Sequence, residues 1–517
     1  MAKNILKATG VVLVMNLVVK VLGFLRETSL ANAFGASDLS DAYLSAYTIP
    51  YFLQSILGYA LVAAVVPILT KYLVAGKKEE ASYVGSAIIN ITALGLAAVS
   101  VVGILACDIL VKLLAPGYGA EQAALTATLA RIMFPSVIFM GVGMVLTGIC
   151  NAHYRFAVSA FAPGVSNIII IVSLLFFSAA YGIYGAAWGT LISFVGFFVI
   201  QIPVLWQIGF KYRPVLDFKH PDVQQLIREI GPIVLGVAVN QIYFAVNRIF
   251  ASGLAEGTIS NINYANKLMM LPMGIFVSAV VSAIYPALSE FSLKKDRRGL
   301  AATMKTGLVS VMLVAVPAAV GLALLSEPII QLLFEHGEFT HENTLATAWA
   351  LVCFTLGLIP MAANMIITRV YYALDDVKTP VRIGMISIVL DVLLSLALFR
   401  VMAYGGGGLA LSNSLAALLC FLMMYYYLKL KALPELANQT MLPSLLKVAA
   451  ASALMGIAVW LVKLVLHAAG AVVVTGAGIL AGVVVYAAAV LLLKIPETQL
   501  FLDKIGNKIG KKLGKRR

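Results

Sequence analysis

Apolar residues run through this chain in long blocks separated by short polar segments. Most blocks reach the roughly 20 residues that a helix needs to cross the hydrocarbon core of a bilayer. Lipid offers no partner to a free backbone N–H or C=O, so spans of this kind must be helices. The two-residue alternation of a membrane β-barrel is absent. The pattern predicts fourteen spans, near residues 6–33, 41–72, 81–112, 123–150, 157–180, 184–209, 226–252, 258–289, 302–333, 345–373, 379–401, 407–430, 442–466 and 471–493.

The polar segments between them orient the chain. Lys71, Lys77 and Lys78 follow the second span, Arg155 the fourth, and Lys211, Arg213 and Lys219 the sixth. Later even-numbered spans are followed by Lys294, Lys295, Arg297 and Arg298, by Lys378 and Arg382, and by Lys429 and Lys431. Segments after odd-numbered spans are poor in Lys and Arg, with Lys112, Arg400 and Lys463 as exceptions near span ends. The excess of positive charge on one side places both termini in the cytoplasm. An even number of spans requires the same.

Composition agrees with this reading. Of 517 residues, 61% are hydrophobic and 12% charged, and the mean hydropathy is +0.97. A soluble protein carries about 25% charged residues. The net charge of +14 sits in short loops and in the tail GNKIGKKLGKRR, so topology explains it better than nucleic-acid binding does. That tail suits anionic lipid headgroups. Lys20, Arg26 and Glu27 interrupt the first apolar block, which predicts an uncleaved first helix rather than a signal peptide. Cys107, Cys150, Cys353 and Cys420 lie in apolar stretches without metal or disulfide spacing and read as small buried hydrophobes. No nucleotide-binding loop and no nucleophile elbow occurs, so neither an enzyme nor an ATP-driven pump is expected.

The chain also repeats itself. Val66-Pro67 matches Tyr285-Pro286, Phe24-Leu25-Arg26 matches Val246-Asn247-Arg248, and Asn151-Ala152 matches Tyr372-Ala373. The offset stays at about 219 to 222 residues, the length of six helices. The expected architecture is therefore an all-α integral membrane protein with two six-helix lobes related by a parallel pseudo-twofold repeat. The divisions are an N-lobe at 1–219, a C-lobe at 220–432, two further helices at 433–495 and a basic cytoplasmic tail at 496–517. Repeats of this kind recur in transporters, with the substrate path at their interface.

Charges within spans cost a few kcal/mol each and mark functional candidates. The first span carries Lys20, Arg26 and Glu27; the second, Asp41 and Gln54; the seventh, Arg248; the eighth, Lys267. The repeat pairs these four spans, so Lys20, Arg26, Arg248 and Lys267 are expected to converge on a central cationic cavity. Such a cavity suits an anionic headgroup, pyrophosphate above all, because Arg offers forked donors and Lys a point charge. The alternative is that Arg26 or Arg248 pairs with a nearby acid and stitches helices together. Pro50 and Pro272 are candidate hinges, or else fixed bends. Asp391, one turn after Ser387, is a candidate sodium or proton site, or a partner for a cation. Arg131 and Arg369 receive no role.

Val21-Leu-Gly-Phe-Leu-Arg-Glu27, Phe34-Gly-Ala36 followed by Ser40-Asp-Ala-Tyr43, Val66-Pro67 and Tyr285-Pro-Ala-Leu-Ser289 together resemble the lipid II flippase family (MurJ/MviN). Tyr264-Ala-Asn-Lys-Leu268, Gly337-x-Phe-Thr340 and Asp376-Val-Lys-Thr-Pro380 add to it, and the similarity runs from about residue 5 to 430. It implies the fold shared with multidrug exchangers and polysaccharide-lipid flippases, and a groove for a polyprenyl tail formed by the last two helices. It implies functional roles for Arg26 and Asp41, and by charge for Lys20 and Lys267. Gln54 stands where the family has Arg, and Tyr59 and Met270 stand where Glu is common.

The expected function is translocation of lipid II from the inner to the outer leaflet of the bacterial cytoplasmic membrane by alternating access. No cofactor is expected beyond a coupling sodium ion or proton. The expected partners are lipid II or another polyprenyl-pyrophosphate glycan, membrane lipids and the cell-wall synthesis machinery. Alternatives are a flippase for another lipid-linked polysaccharide, a cation-coupled multidrug antiporter, and a non-transporting scaffold. The antiporter needs intramembrane acids that are scarce here, and short loops give a scaffold little surface.

Overall fold

The computed structural model describes residues 2–399, 402 and 404–498, the side chains of residues 2–9, 54, 57, 59, 232–240 and 242–244 excepted. Among the described residues the regular structure is helical and no strand occurs. The helices are α1 (Ala2–Phe34), α2 (Asp38–Val74), α3 (Lys78–Leu114), α4 (Ala120–Ala152), α5 (Phe156–Tyr181), α6 (Ile183–Gln207) and α7 (Pro221–Ala251). They continue as α8 (Thr258–Leu293), α9 (Arg297–Leu324), α10 (Ser326–Phe334), α11 (His341–Ala373), α12 (Lys378–Leu398), α13 (Tyr404–Ala432), α14 (Leu442–Val465) and α15 (Ala471–Leu492). Among the described residues eleven of these, α3–α6, α8, α9 and α11–α15, are long and apolar enough to cross a membrane.

Local sequence sets the helix ends and breaks. Ser37 caps α2 in a reciprocal capping box with Ser40, satisfying donors that the first turn leaves open. Asp296 caps α9 by accepting from the Gly299 N–H at 2.9 Å. Proline acts differently from site to site, because the lost N–H can be absorbed in more than one way. Pro135 interrupts α4 between Met133 and Ser136. Pro272 leads α8 into a wider π turn at Met273–Val277. Pro50 and Pro67 lie inside α2, which continues as one helix past both.

The chain divides into two compact units. Unit 1 comprises residues 1–260 and 336–340, and unit 2 comprises 261–335 and 341–517. Helix α7, the first helix of the second sequence repeat, thus belongs to unit 1. The reason lies in its packing: Val223 and Leu226 of α7 join Leu61, Val65 and Leu69 of α2, Ile88 of α3 and Leu146 and Ile149 of α4 in one buried cluster. The segment between α6 and α7 is also fixed. Ser82, Ser86 and Asn90 recur every four residues along one face of α3 and hold it. The N–H groups of Lys211 and Arg213 donate to Ser82 Oγ and Ser86 Oγ, and Asn90 Nδ2 donates to the carbonyls of Arg213 and Val215.

In unit 2, α11 is the central helix, packed on α9 and α13. Small residues let helices approach where apolar burial supplies no drive in lipid. At Gly357 of α11 an added Cβ would lie 2.7 Å from Ser414 Oγ, whose hydroxyl donates to the Cys353 carbonyl at 2.7 Å. Helices α14 and α15 pack together and against α9, where Tyr486 Oη donates to the Leu313 carbonyl at 2.8 Å. Outward faces are apolar: Val101, Val102, Leu105, Ile109 and Leu113 on α3, and Met385, Ile386, Val389, Leu393 and Leu396 on α12. An exposed stripe of this size is stable only against lipid or another apolar surface.

Candidate functional site

Most of the charged candidates fall in unit 1, on α1, α2 and α7. Arg26 projects from α1 with its side chain 22% exposed, and Glu27 beside it is 4% exposed. Arg26 Nη2 donates to Glu27 Oε1 at 2.5 Å, and Nη1 reaches Asn167 Oδ1 of α5 at 3.4 Å. Neighbouring residues on a helix do not face each other well. The length of both side chains overcomes this, so the stitching contact weighed from the sequence is present. Tyr43, Tyr47 and Tyr51 follow at four-residue intervals on α2; Tyr43 stacks on Tyr47 at 6.5 Å, and Tyr47 lies tilted against Tyr51 at 5.6 Å. Tyr43 Oη shares a hydrogen bond of 2.8 Å with Thr190 Oγ1 of α6.

Asp41 is buried and accepts three hydrogen bonds from the start of α8. The N–H of Ile259 donates at 3.3 Å, the N–H of Ser260 at 2.7 Å and Ser260 Oγ at 2.6 Å. These are orphan donors of a helix N-terminus, where a carboxylate is also favoured by the helix dipole. Asp41 is therefore a cap supplied by a distant helix. Ser40 Oγ adds a contact of 2.8 Å to Ser260 Oγ.

Arg248 of α7 turns to α2, donating to Thr48 Oγ1 at 3.1 Å and to the Leu44 carbonyl at 3.4 Å. Both acceptors are neutral. Tyr118, in the connection between α3 and α4, closes this region with a 2.8 Å hydrogen bond to Ser45 Oγ. Burial, with the Asp41 carboxylate nearby, pushes its phenol well above the ordinary tyrosine value.

Two glycine turns complete the same end of unit 1. The Gly117 N–H donates to Ser252 Oγ at 3.1 Å, and the Glu338 N–H donates to the Asn32 carbonyl at 3.1 Å. A Cβ at Gly117 would stand 2.5 Å from the Ser252 carbonyl oxygen, and one at Gly337 (φ +60°) 2.2 Å from that of Asn32. Only glycine fits either approach. Gly117 with Gly337, Asn32 with Ser252 and Ser40 with Ser260 are each separated by about 220 residues, the repeat offset. That coincidence is the signal by which the sequence could have disclosed these residues, none of which carries a charge.

The remaining candidates lie elsewhere. Lys20 of α1 is exposed. Lys267 and Pro272 of α8 and Asp391 of α12 belong to unit 2; Lys267 is exposed and Asp391 buried. Ser387, one turn before Asp391, gives its hydroxyl to the Ala416 carbonyl at 3.0 Å. No group of three or more His, Cys, Asp or Glu able to hold a metal occurs among the described residues. The side chains of Gln54 and Tyr59 and the tail from residue 499 lie outside the described residues.

Similarity to known proteins covers most of the chain. The family model described as lipid II flippase MurJ matches residues 30–480. The lipid II flippase MurJ of Burkholderia cenocepacia is 31% identical over 435 residues, covering 82% of this chain and 84% of that protein. A probable lipid II flippase MurJ of Vibrio cholerae is 30% identical over 451 residues, covering 85% and 86%. Among solved structures, a lipid II flippase MurJ in an inward closed conformation superposes with a TM-score of 0.79 at 26% identity, covering 93% of this chain and 98% of that one. An inward-facing multidrug transporter of the MATE family shares the fold, with a TM-score of 0.66 at 16% identity over 83% of this chain and 99% of that one. Agreement of this extent, in sequence and in the path of the helices, places the protein among multi-pass membrane transporters: the chain belongs to the lipid II flippase MurJ family.

Proposed function

We propose that this protein moves lipid II from the inner to the outer leaflet of the cytoplasmic membrane. The observation that carries the reading is agreement with lipid II flippases over most of the chain, in a protein whose membrane helices hold basic residues and few acids. Fourteen spans with both termini cytoplasmic fit the distribution of Lys and Arg between loops. In that topology the capped start of α8 and the Gly117 and Gly337 turns lie at the outer face, where they act as a closed outer gate. Arg26, Lys20, Lys267 and Arg248 are the cations that attract the pyrophosphate, and Gln54 is a further polar contact for it. Pro50 and Pro272 serve as hinges. Asp391 is the group at which a coupling sodium ion or proton binds. Transport without ATP draws on such a gradient or on the membrane potential, worth about 2.3 kcal/mol per charge per 100 mV.

The test is depletion of the protein in its host, with an externally added toxin that cleaves lipid II reporting the outer-leaflet pool. Cleavage is expected to fall, and to be restored by the wild-type protein but not by Arg26→Ala. Undiminished cleavage in a host lacking any other flippase overturns the assignment. It would leave a second reading, a flippase for another lipid-linked glycan. That reading is favoured by Gln54, Tyr59 and Met270, where the family pattern has an arginine and two acids.

A further inference from the structure

Two intramembrane arginines received no role from the sequence, and the structure treats them differently. Arg131 of α4 donates to Asp108 of α3 at 2.5 Å, an ion pair that accounts for it. Arg369, one turn before the end of α11, has no acidic partner among the described residues. Its guanidinium lies 5.3 Å from the ring centroid of Tyr285 of α8 and 5.8 Å from that of Tyr372. All three side chains are half-buried. Among the described residues, no carboxylate, carbonyl or hydroxyl takes a hydrogen bond from Arg369.

Stacking on aromatic faces fixes the plane of a guanidinium while leaving its N–H edge free. The platform itself is held: Ser292 Oγ of α8 donates to the Ala373 carbonyl of α11 at 2.5 Å, joining the two helix ends beside the rings. Tyr371, next to Tyr372, turns the other way and donates to the Met424 carbonyl at 2.9 Å. The result is a forked cation, oriented in advance, at the end of a membrane helix. Tyrosine is enriched at that depth because its ring tolerates both lipid and headgroup. An oriented guanidinium with open donors fits phosphate oxygens in bidentate fashion.

The sequence repeat supplies a control. Aligning Asn151-Ala152 with Tyr372-Ala373 sets Gly148 opposite Arg369, and Val66 opposite Tyr285. In unit 1 the corresponding helices pack closely through apolar groups there, a Cβ at Gly148 reaching to 2.8 Å from Cγ1 of Val65, the neighbour of Val66. Helix packing at this place therefore needs neither an arginine nor a tyrosine. The cation is an addition to one copy only.

We propose that Arg369, held between Tyr285 and Tyr372, is a docking site for a lipid phosphate on the cytoplasmic side of unit 2. There it captures the headgroup of an incoming polyprenyl pyrophosphate before the headgroup reaches Arg26 and Lys267. The identity of that cargo rests on the transport reading above; the existence of a phosphate site does not.

The experiment uses the full-length protein in phosphatidylcholine nanodiscs, with farnesyl pyrophosphate as the probe and hydrogen–deuterium exchange as the readout. The probe is expected to slow exchange in peptides covering 285–292 and 369–376. This effect persists in Lys267→Gln. Arg369→Gln weakens it about tenfold, and Arg369→Lys, which keeps the charge without the fork, weakens it less. Should Arg369→Gln fail to fold, the double variant Tyr285→Leu, Tyr372→Leu removes the platform and is expected to weaken the probe similarly. A second arm adds phosphatidylglycerol. If it leaves the farnesyl pyrophosphate effect intact, the site selects an isoprenoid pyrophosphate. If phosphatidylglycerol alone protects the same peptides and abolishes that effect, the site holds bulk anionic lipid. Exchange that neither probe alters, or that both alter equally in Arg369→Gln, overturns the proposal. Because binding is read without transport, failure here leaves the flippase reading standing, and the reverse also holds.

Discussion

Arg26 and Arg248 occupy matching places in the sequence repeat, yet the structure satisfies them in opposite ways. Arg26 is paired with a buried acid, Glu27, and reaches an amide on α5. Arg248 spends its donors on a hydroxyl and a main-chain carbonyl of α2, both neutral. A pair from which one member is removed leaves an uncompensated buried charge, whereas a guanidinium on neutral acceptors can be replaced with less loss. Equal positions in a repeat therefore do not imply equal energetic roles. The partner within reach decides.

Substitutions at the two arginines sharpen this contrast most. Arg26→Ala removes the cation paired with the buried Glu27 and is expected to cost about 3–5 kcal/mol, read as a large fall in thermal stability of the purified protein. Adding Glu27→Gln should restore most of that stability without restoring flipping. Recovery of both would reduce Arg26 to a structural stitch. The cap comes next in size. Asp41→Ala leaves two backbone N–H groups and a hydroxyl without their acceptor, a loss of about 2–4 kcal/mol. Asp41→Asn should recover part of it, and an unchanged melting temperature in the alanine variant would remove the capping role. Gly337→Ala forces a side chain into a left-handed turn against the Asn32 carbonyl and is expected to cost at least about 1–2 kcal/mol from backbone strain alone. Thr48→Val, which takes one neutral acceptor from the charged Arg248, should cost only about 1.5 kcal/mol. If it costs as much as Arg26→Ala, the contrast between the arginines fails.

The smallest effect comes from outside both sites and sets the scale. Asp376, in the turn before α12, accepts from the Thr379 N–H at 2.9 Å. Partial burial alone would raise its carboxyl; hydrogen bonds from Thr379 and Lys378 and the charge of Arg382 outweigh this and hold it below the usual carboxylate value. Its folded value is depressed, so its contribution is present above the unfolded value and is lost as pH falls through the folded one. Asp376→Asn should lower stability by less than about 1 kcal/mol near neutral pH, and the difference should vanish in acid. A difference that persists there would mean that the carboxylate charge is not the source.

The sequence alone determined that the chain crosses a membrane repeatedly as helices, because apolar blocks of this length have no other stable form in lipid. Scarce charges within those blocks stand out against their cost, so Lys20, Arg26, Asp41, Arg248 and Lys267 were visible without coordinates. The motifs around Arg26, Tyr264 and Asp376 disclosed the family. What charges mean, however, depends on what stands opposite them, and that is a matter of tertiary contact. Only the fold showed that Asp41 spends its oxygens on the start of α8, that α7 packs with the helices of the preceding repeat, and that a stripe of Ser and Asn on α3 holds the segment before it. Only the fold put two tyrosines from different helices against Arg369. Hydrophobic periodicity carries one bit per residue, inside or outside. The choice of partner requires three dimensions, because residues as far apart as Asp41 and Ser260 meet only when the helices between them have packed.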